Sequence, residues 1–411
     1  MIVINPCFAK RAMRVLFSGA CLCLYLAVAN LPMRAQVSGQ ALRTSLLKDA
    51  GDAIASGKLQ DAETDLQSIL DTSPDDYQAL DLLAIVRAQQ RREPEAEQIF
   101  LGVIKNHPEF ASAHIDLGLL YVQMGDSGKA VPQLQEGLQL APERTEAASA
   151  LVGIWREQAR AALVSDPEKA LSLLLQARKI APSDADVQFE FGMVALRMNL
   201  LPDAVAAFQQ TLKLRPDDPK ALYALGRAFM QEARYDDARQ QFVRYIALRP
   251  DDASGLYALG NSDAMLERSV EARSEFEKSI ALAPVQTESY FQLGLLDLKA
   301  HDLDSATKNF NRVLARDSRH AGALAGMGRV AFEEKKYDES ADFLRRSIAS
   351  DDASYEPHYY LGLTYARMGR KQDSDEQFQI ATRLEHEQLE KERRVLTILN
   401  SGASPNPQDS K

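Results

Sequence analysis

The side chains that most often carry chemistry are few in this chain and poorly spaced for it. The six histidines are His107, His114, His301, His320, His358 and His386. No two have the i, i+4 spacing that sets a pair of imidazoles on one helix face around zinc. His386-Glu387 lacks the second histidine of a zinc-protease motif, and Gly128-Lys129 lacks the earlier glycine of a phosphate loop. Cys7, Cys21 and Cys23 are the only cysteines, so everything after residue 23 is without a disulfide, a thiolate metal site or a cysteine nucleophile. No metal, cofactor or catalytic residue is implied. What does recur is chemistry of recognition: Phe189, Tyr223, Tyr257, Phe291 and Tyr359 stand at multiples of 34 residues. Aromatic rings give contact area, and arginines among them give bidentate hydrogen bonds to carboxylates.

The elements that hold these residues follow from charge and period. The 411 residues are 45% hydrophobic and 26% charged, ordinary for a globular chain, with a net charge of −10. Residues 1–35 hold Lys10, Arg11, Arg14 and Arg34 and no acid, which leaves the rest with 44 basic and 58 acidic residues, a net of −14. A body that acidic repels phosphate backbones, which argues against nucleic acid as a partner. Lys10, Arg11 and Arg14 precede a charge-free run from Val15 to Met33, the pattern of a signal peptide. Cleavage fits after Ala35 or after Ala29, and Met13 is an alternative start. The other reading of 1–35 is an uncleaved membrane anchor, with the body exported in either case. Membrane contact would then run through this segment alone. Cys21 is a weak match to a lipidated cysteine, because Ser18 stands where a branched apolar residue belongs.

The rest is one repeat. Gly192, Gly226, Gly260, Gly294, Gly328 and Gly362 are each 34 residues apart, as are Phe208, Phe242, Phe276 and Phe310, and Pro182, Pro216, Pro250 and Pro284. This resembles the tetratricopeptide repeat, a helix–turn–helix unit with small residues at positions 8 and 20, a large apolar one at 24 and Pro at 32. Ten copies start at Arg43, Tyr77, Ala111, Thr145, Ala185, Pro219, Ala253, Thr287, Ala321 and Tyr355, ending at Gln388. The order is thus 1–35 leader, 36–42 linker, 43–388 repeats, 389–400 capping helix and 401–411 disordered tail. Small residues at 8 and 20 let the two helices approach, and neighbours must stack because no repeat buries its apolar face alone. The resemblance implies an all-α, right-handed superhelical solenoid with first helices lining a concave groove.

Departures from the pattern carry expectations. Position 32 becomes Ser318, Asp352 and His386 and position 20 becomes Ser340 and Ser374, a looser match at the C-terminal end. Repeat 4 has 40 residues; placing its six extra residues after Trp155 keeps Leu151, Val152 and Trp155 in the core and lengthens the first helix. The second helix then starts at Ser165-Asp-Pro-Glu168, a capping-box spacing. The long repeat is expected to disturb the stack between repeats 4 and 5. Asp263 and Asp297 take position 11, where the resemblance leads one to expect a large aromatic. They need partial exposure, an arginine or lysine partner, or an ion.

The resemblance places positions 2, 5, 9, 12 and 13 of each first helix in the groove. Position 5 supplies Phe189, Tyr223, Tyr257, Phe291, Ala325 and Tyr359; positions 9 and 13 add Arg197, Arg227, Gln231, Asn261, Lys299, Arg329 and Arg367. Acids on this face are Asp186, Glu288, Glu333 and Glu356. The aromatic ladder serves a ligand or packs against neighbouring helices, and both readings stay open. The expected function is a non-catalytic scaffold in the cell envelope that holds a peptide or protein partner in the groove. The alternative is a periplasmic scaffold for polysaccharide handling, with sugars stacked on the rings.

Overall fold

A computed structural model of the chain describes residues 39–401, with side chains through residue 390. The leader and residues 402–411 lie outside the described residues. Twenty helices and no strand occur among the described residues, arranged as ten consecutive pairs. The first helices are 39–55, Tyr77–Gln89, Ala111–Gln123, Thr145–Ala162, Ala185–Arg197, Pro219–Gln231, Ala253–Met265, Glu288–Lys299, Ala321–Glu333 and Tyr355–Arg367. The second helices are Leu59–Leu70, Glu93–Asn106, Ser127–Leu140, Pro167–Ile180, Leu201–Leu214, Tyr235–Leu248, Ser269–Leu282, Leu303–Leu314, Tyr337–Ser350 and Lys371–Ser401. Within each of two compact units, each second helix packs on its pair-mate and on the first helix of the next pair, the stacked arrangement of a solenoid. The chain divides into two compact units, one ending at Pro182 and one starting at Ser183. That boundary falls at the end of the 40-residue repeat.

The close contact inside each pair explains the two small positions. Position 20 is fully buried as Ala62, Ala96, Ala130, Ala170, Ala204, Ala238, Ala272 and Ala306. At Gly192, Gly226, Gly260 and Gly294 an added Cβ would lie 2.6–2.8 Å from the position-24 phenylalanine ring of the same repeat. Ser340 and Ser374 are not loose substitutes. Their hydroxyls donate to the carbonyls of Gly328 and Gly362, the position-8 residues across the pair, at 2.8 and 2.9 Å. A buried hydroxyl with such an acceptor fills the alanine site without an orphaned polar atom.

The turn inside each pair is equally regular. Position 15 has positive φ in all nine 34-residue repeats: Gly57, Arg91, Gly125, Asn199, Ala233, Glu267, His301, Lys335 and Gly369. The position-16 N–H donates to the position-11 carbonyl, as Arg234 does to Phe229 at 2.9 Å, and the position-15 N–H to position 12, as Ala233 does to Met230 at 3.1 Å. This is a Schellman closure, which suits glycine and strains an ordinary residue. Ala233 (φ 55°) gains nothing from its Cβ here. Ala233→Gly is therefore expected to stabilise the chain by about 0.5–1 kcal/mol, read as a higher urea midpoint; a lower midpoint would sink this account.

Several boundaries differ from the sequence expectation. The first helix starts at residue 39, so residues 39–42 of the expected linker are helical. The eighth repeat's helix starts at Glu288, with Thr287 just before it. The second helix of repeat 4 is capped by Asp166, whose carboxylate accepts from the Lys169 N–H at 3.0 Å; the expected Ser165 box does not form. The long first helix of that repeat does carry the insertion, and Trp155 is buried. Residues 389–400 are not a separate capping helix. They continue Lys371–Ser401 as one helix, which also takes Ser401 from the expected tail. His386 stands where Pro ends the second helix in earlier repeats, so that break is absent here. Ser318 and Asp352 are also non-proline, yet the preceding helices stop at Leu314 and Ser350, where a further repeat follows.

Neighbouring repeats meet through position 21 of one and position 11 of the next. In the N-terminal unit, Arg87 donates to Glu63 at 2.8 Å and the Tyr121 hydroxyl to Glu97 at 2.7 Å. In the C-terminal unit the polarity is reversed. Asp263, almost fully buried, accepts from Arg239 at 2.7 Å and lies 3.1 Å from Arg268. Asp297, fully buried, accepts from Arg273 and from the Asn309 amide at 2.7 Å. The position-11 aspartates thus have arginine partners, and neither is exposed. Elsewhere the same junction is apolar, as between Val205 and Phe229.

Candidate functional site

In the C-terminal unit the first helices of successive repeats touch, so their position-5 and position-9 side chains share one face. The ladder is real but is not a row of free rings. Phe189, Tyr223, Tyr257, Phe291 and Tyr359 each lie against the position-24 phenylalanine of their own repeat, with centroids 5.8, 5.7, 5.9, 6.2 and 5.8 Å apart. Tyr359 is the exposed member and the other four are half-buried. Burial pushes the Tyr223 and Tyr257 phenols above their ordinary range, so they remain neutral donors. The rings therefore both pack and leave part of their surface open. Ala325, where the ladder lacks a ring, is buried.

The cations on this face differ in what they hold. Arg197, Arg227 and Arg367 are exposed and make no ion pair or hydrogen bond among the described residues. Lys299 lies 3.5 Å from Glu267. Arg329 donates to Glu356 at 2.7 Å and sits 4.8 Å over the Tyr360 ring. Asn261 is half-buried and Gln231 is at the helix end. Of the expected acids, Asp186 pairs with Arg215, Glu333 with His301 and Glu356 with Arg329.

Two clefts open between rungs. One, of about 180 Å3, is lined by Phe291, Ala325, Arg329 and Glu356 among others, where the missing ring leaves space. The other, of about 270 Å3, is lined by Phe189, Met193, Leu196, Pro219, Lys220, Tyr223, Ala224, Arg227, Tyr245 and Arg249. Sequence reading found Phe189, Tyr223 and Arg227 and missed the rest. The readable signal was Tyr245: position 27 is Ile69, Val103, Gly137, Ala177, Thr211, Ser279, Val313, Ser347 and Ala381 elsewhere. Tyr245 fits because the next repeat has Gly255 at position 3, where a Cβ would lie 2.4 Å from the ring. The ring stacks on Tyr223 at 5.2 Å, and its hydroxyl donates to Asp252. Burial and that bond push the Tyr245 phenol up to about 12. Gly255→Ala is expected to cost about 1–3 kcal/mol, and adding Tyr245→Thr, the residue of repeat 5, to recover most of it. Additive losses in urea denaturation would disprove the pairing.

In the N-terminal unit position 5 carries no ring: it reads Leu47, Asp81, Ile115 and Ser149. Asp81 stands at position 5 of repeat 2 and Asp116 at position 6 of repeat 3. Burial, then the nearby Asp116 charge, pushes the Asp81 carboxyl up to about 8, against the pull of Arg144. Burial pushes Asp116 up to about 6. One Asp81 oxygen is buried without a hydrogen-bond partner. Among the described residues no group of three or more His, Cys, Asp or Glu is placed to hold a metal ion, and no helix is long and apolar enough to cross a membrane.

The tetratricopeptide-repeat family model matches residues 48–111, 189–244, 223–286 and 291–356, and a second model of the same repeat matches residues 111–144. The chain belongs to the tetratricopeptide-repeat family. Its repeats make it a protein-interaction scaffold. Similar solved tetratricopeptide-repeat structures each align with part of this chain. MamA from Desulfovibrio magneticus RS-1 is 23% identical over 41% of this chain and 97% of its own, with a TM-score of 0.40. YrrB, a TPR protein with an unusual peptide-binding site, is 22% identical over 45% of this chain and 95% of its own, with a TM-score of 0.38. PilF of Pseudomonas aeruginosa is 19% identical over 51% of this chain and 96% of its own, with a TM-score of 0.45. No curated protein matches the chain.

Proposed function

We propose that this tetratricopeptide-repeat scaffold is non-catalytic, is exported to the cell envelope, and binds a protein or peptide segment along the first-helix face of repeats 5–10. The observation that carries the reading is the pair of clefts on that face, one of them lined by exposed Arg227 and Arg249, which are not engaged elsewhere among the described residues. Half-buried rings offer apolar area at little cost in side-chain entropy, and free guanidinium groups can take carboxylates or backbone carbonyls of an extended segment. Export rests on the basic flank and charge-free run of residues 1–35.

Panning a random nonapeptide phage library on the full chain tests the binding reading. Enriched peptides are expected to lose affinity by about tenfold or more when Arg197, Arg227 and Arg367 are changed to Glu, with the melting temperature unchanged. These arginines are better probes than the tyrosines, whose removal also strips packing from Phe242 and Phe276. Failure to enrich any peptide, or peptides indifferent to the triple change, would refute groove binding.

A further inference from the structure

We propose that the 270 Å3 cleft between the first helices of repeats 5 and 6 is an anchor subsite for one large apolar side chain, phenylalanine or leucine in class, followed or preceded by a carboxylate held by Lys220, Arg227 and Arg249. This rests on the peptide-groove reading and gives its ligand a composition.

The walls set the apolar half. Phe189, Met193 and Leu196 from the first helix of repeat 5, Tyr223 and Ala224 from that of repeat 6, and Tyr245 supply the apolar lining. The volume is on the scale of one large side chain. Tyr245 is held in place by its bond to Asp252, by Tyr223 and by the missing Cβ of Gly255, so the wall is formed before a ligand arrives. A rigid pocket spares the ordering cost that a collapsing one would impose.

The rim sets the polar half. Lys220, Arg227 and Arg249 are exposed and hold no ion pair or hydrogen bond through their side chains among the described residues. No acidic side chain lines the cleft. Asp252, the nearest carboxylate to Tyr245, is already used by that hydroxyl and by the Ser254 and Gly255 N–H groups. Asp218 likewise caps its helix through the Lys220 and Ala221 N–H groups. Three free cations gathered on an apolar cleft, in a body of net −14, select an apolar residue with an acid beside it. The occupant this composition selects is an acid-flanked apolar segment of a partner protein.

Three fluorescein-labelled nonapeptides with Gly/Ser flanks test this against the full chain: one with Asp-Phe-Asp at its centre, one with Asp-Ala-Asp and one with Lys-Phe-Lys. Fluorescence anisotropy is expected to rank the first roughly tenfold tighter than either other, and Arg227→Glu or Lys220→Glu to remove that preference. Its binding is also expected to shift the 13C-methyl resonance of Met193, assigned by its loss in Met193→Leu. Equal binding of the three peptides, no detectable binding, or preference without a Met193 shift overturns the subsite. The groove reading stands or falls separately on whether library peptides of any composition depend on the face arginines.

Discussion

Replacing Asp297 by alanine is expected to destabilise the folded chain by about 3 kcal/mol, because it strands two donors and opens a hole at a repeat junction. Asp297 is fully buried and accepts from both Arg273 and Asn309. Arg273 is partly exposed and can recover some water, which keeps the loss below that of a wholly buried pair. The instructive variant is the double change Asp297→Phe with Arg273→Val, which copies the Val205–Phe229 junction of repeats 5 and 6. Swapping a buried ion pair for packed apolar groups is often neutral or favourable. The double variant should therefore recover most of the loss seen in Asp297→Phe alone, short of the share that the Asn309 amide loses with its acceptor. If the single and double variants lose the same amount, the Arg273 pairing contributes nothing to the junction.

The second large effect is a pH dependence housed at Asp81. An unfolded aspartate titrates near ~3.9, whereas burial and Asp116 hold folded Asp81 at about 8. Below the unfolded value both states are protonated and the residue is neutral to stability. Between the two values the folded state keeps a proton that the unfolded state has lost. Stability must then fall as pH rises, by several kcal/mol in total. Asp116, raised to about 6, adds to the slope in the lower part of that window. Asp81→Asn removes the titration while keeping the shape. It is expected to match the parent in urea denaturation at pH 4 and to exceed it clearly at pH 8. A gap between the two proteins that is the same at both pH values would show that Asp81 is solvated and ionised in the fold.

These two sites mark where sequence reading reached its limit. The period was plain because packing demands it: a phenylalanine at position 24 needs a glycine or alanine at position 8, and a proline at 32 must break the helix. That arithmetic placed eight of the ten first helices at their observed start. The polar exceptions at Asp263 and Asp297 are visible in the sequence as exceptions that call for partial exposure, a cation partner or an ion, but the pattern does not say which arginine. Arg239 and Arg273 lie 24 residues earlier, and the pairing is legible only once position 21 of one repeat is known to face position 11 of the next. Asp81 holds the same position 5 as the rings, but an acid there has no meaning in the sequence until its burial is known. The cleft was half legible for a similar reason. Phe189, Tyr223 and Arg227 follow from first-helix spacing, whereas Tyr245 and Arg249 come from the end of a second helix and enter only through Gly255.

The reversed polarity of the junctions has a consequence for assembly fidelity. A chain of ten similar units risks docking the wrong faces together, within one molecule or between two nascent copies. The second-helix face of repeat 1 offers Glu63, and that of repeat 2 offers Glu97; each finds a donor in the unit that follows. Set against the first helices of repeats 7 or 8, those same glutamates would meet Asp263 or Asp297, carboxylate to carboxylate in a dry interface. In the opposite error, Arg239 or Arg273 would meet Arg87. Misdocked stacks are thus penalised by like charge wherever water is squeezed out, and unit order is proofread by sign.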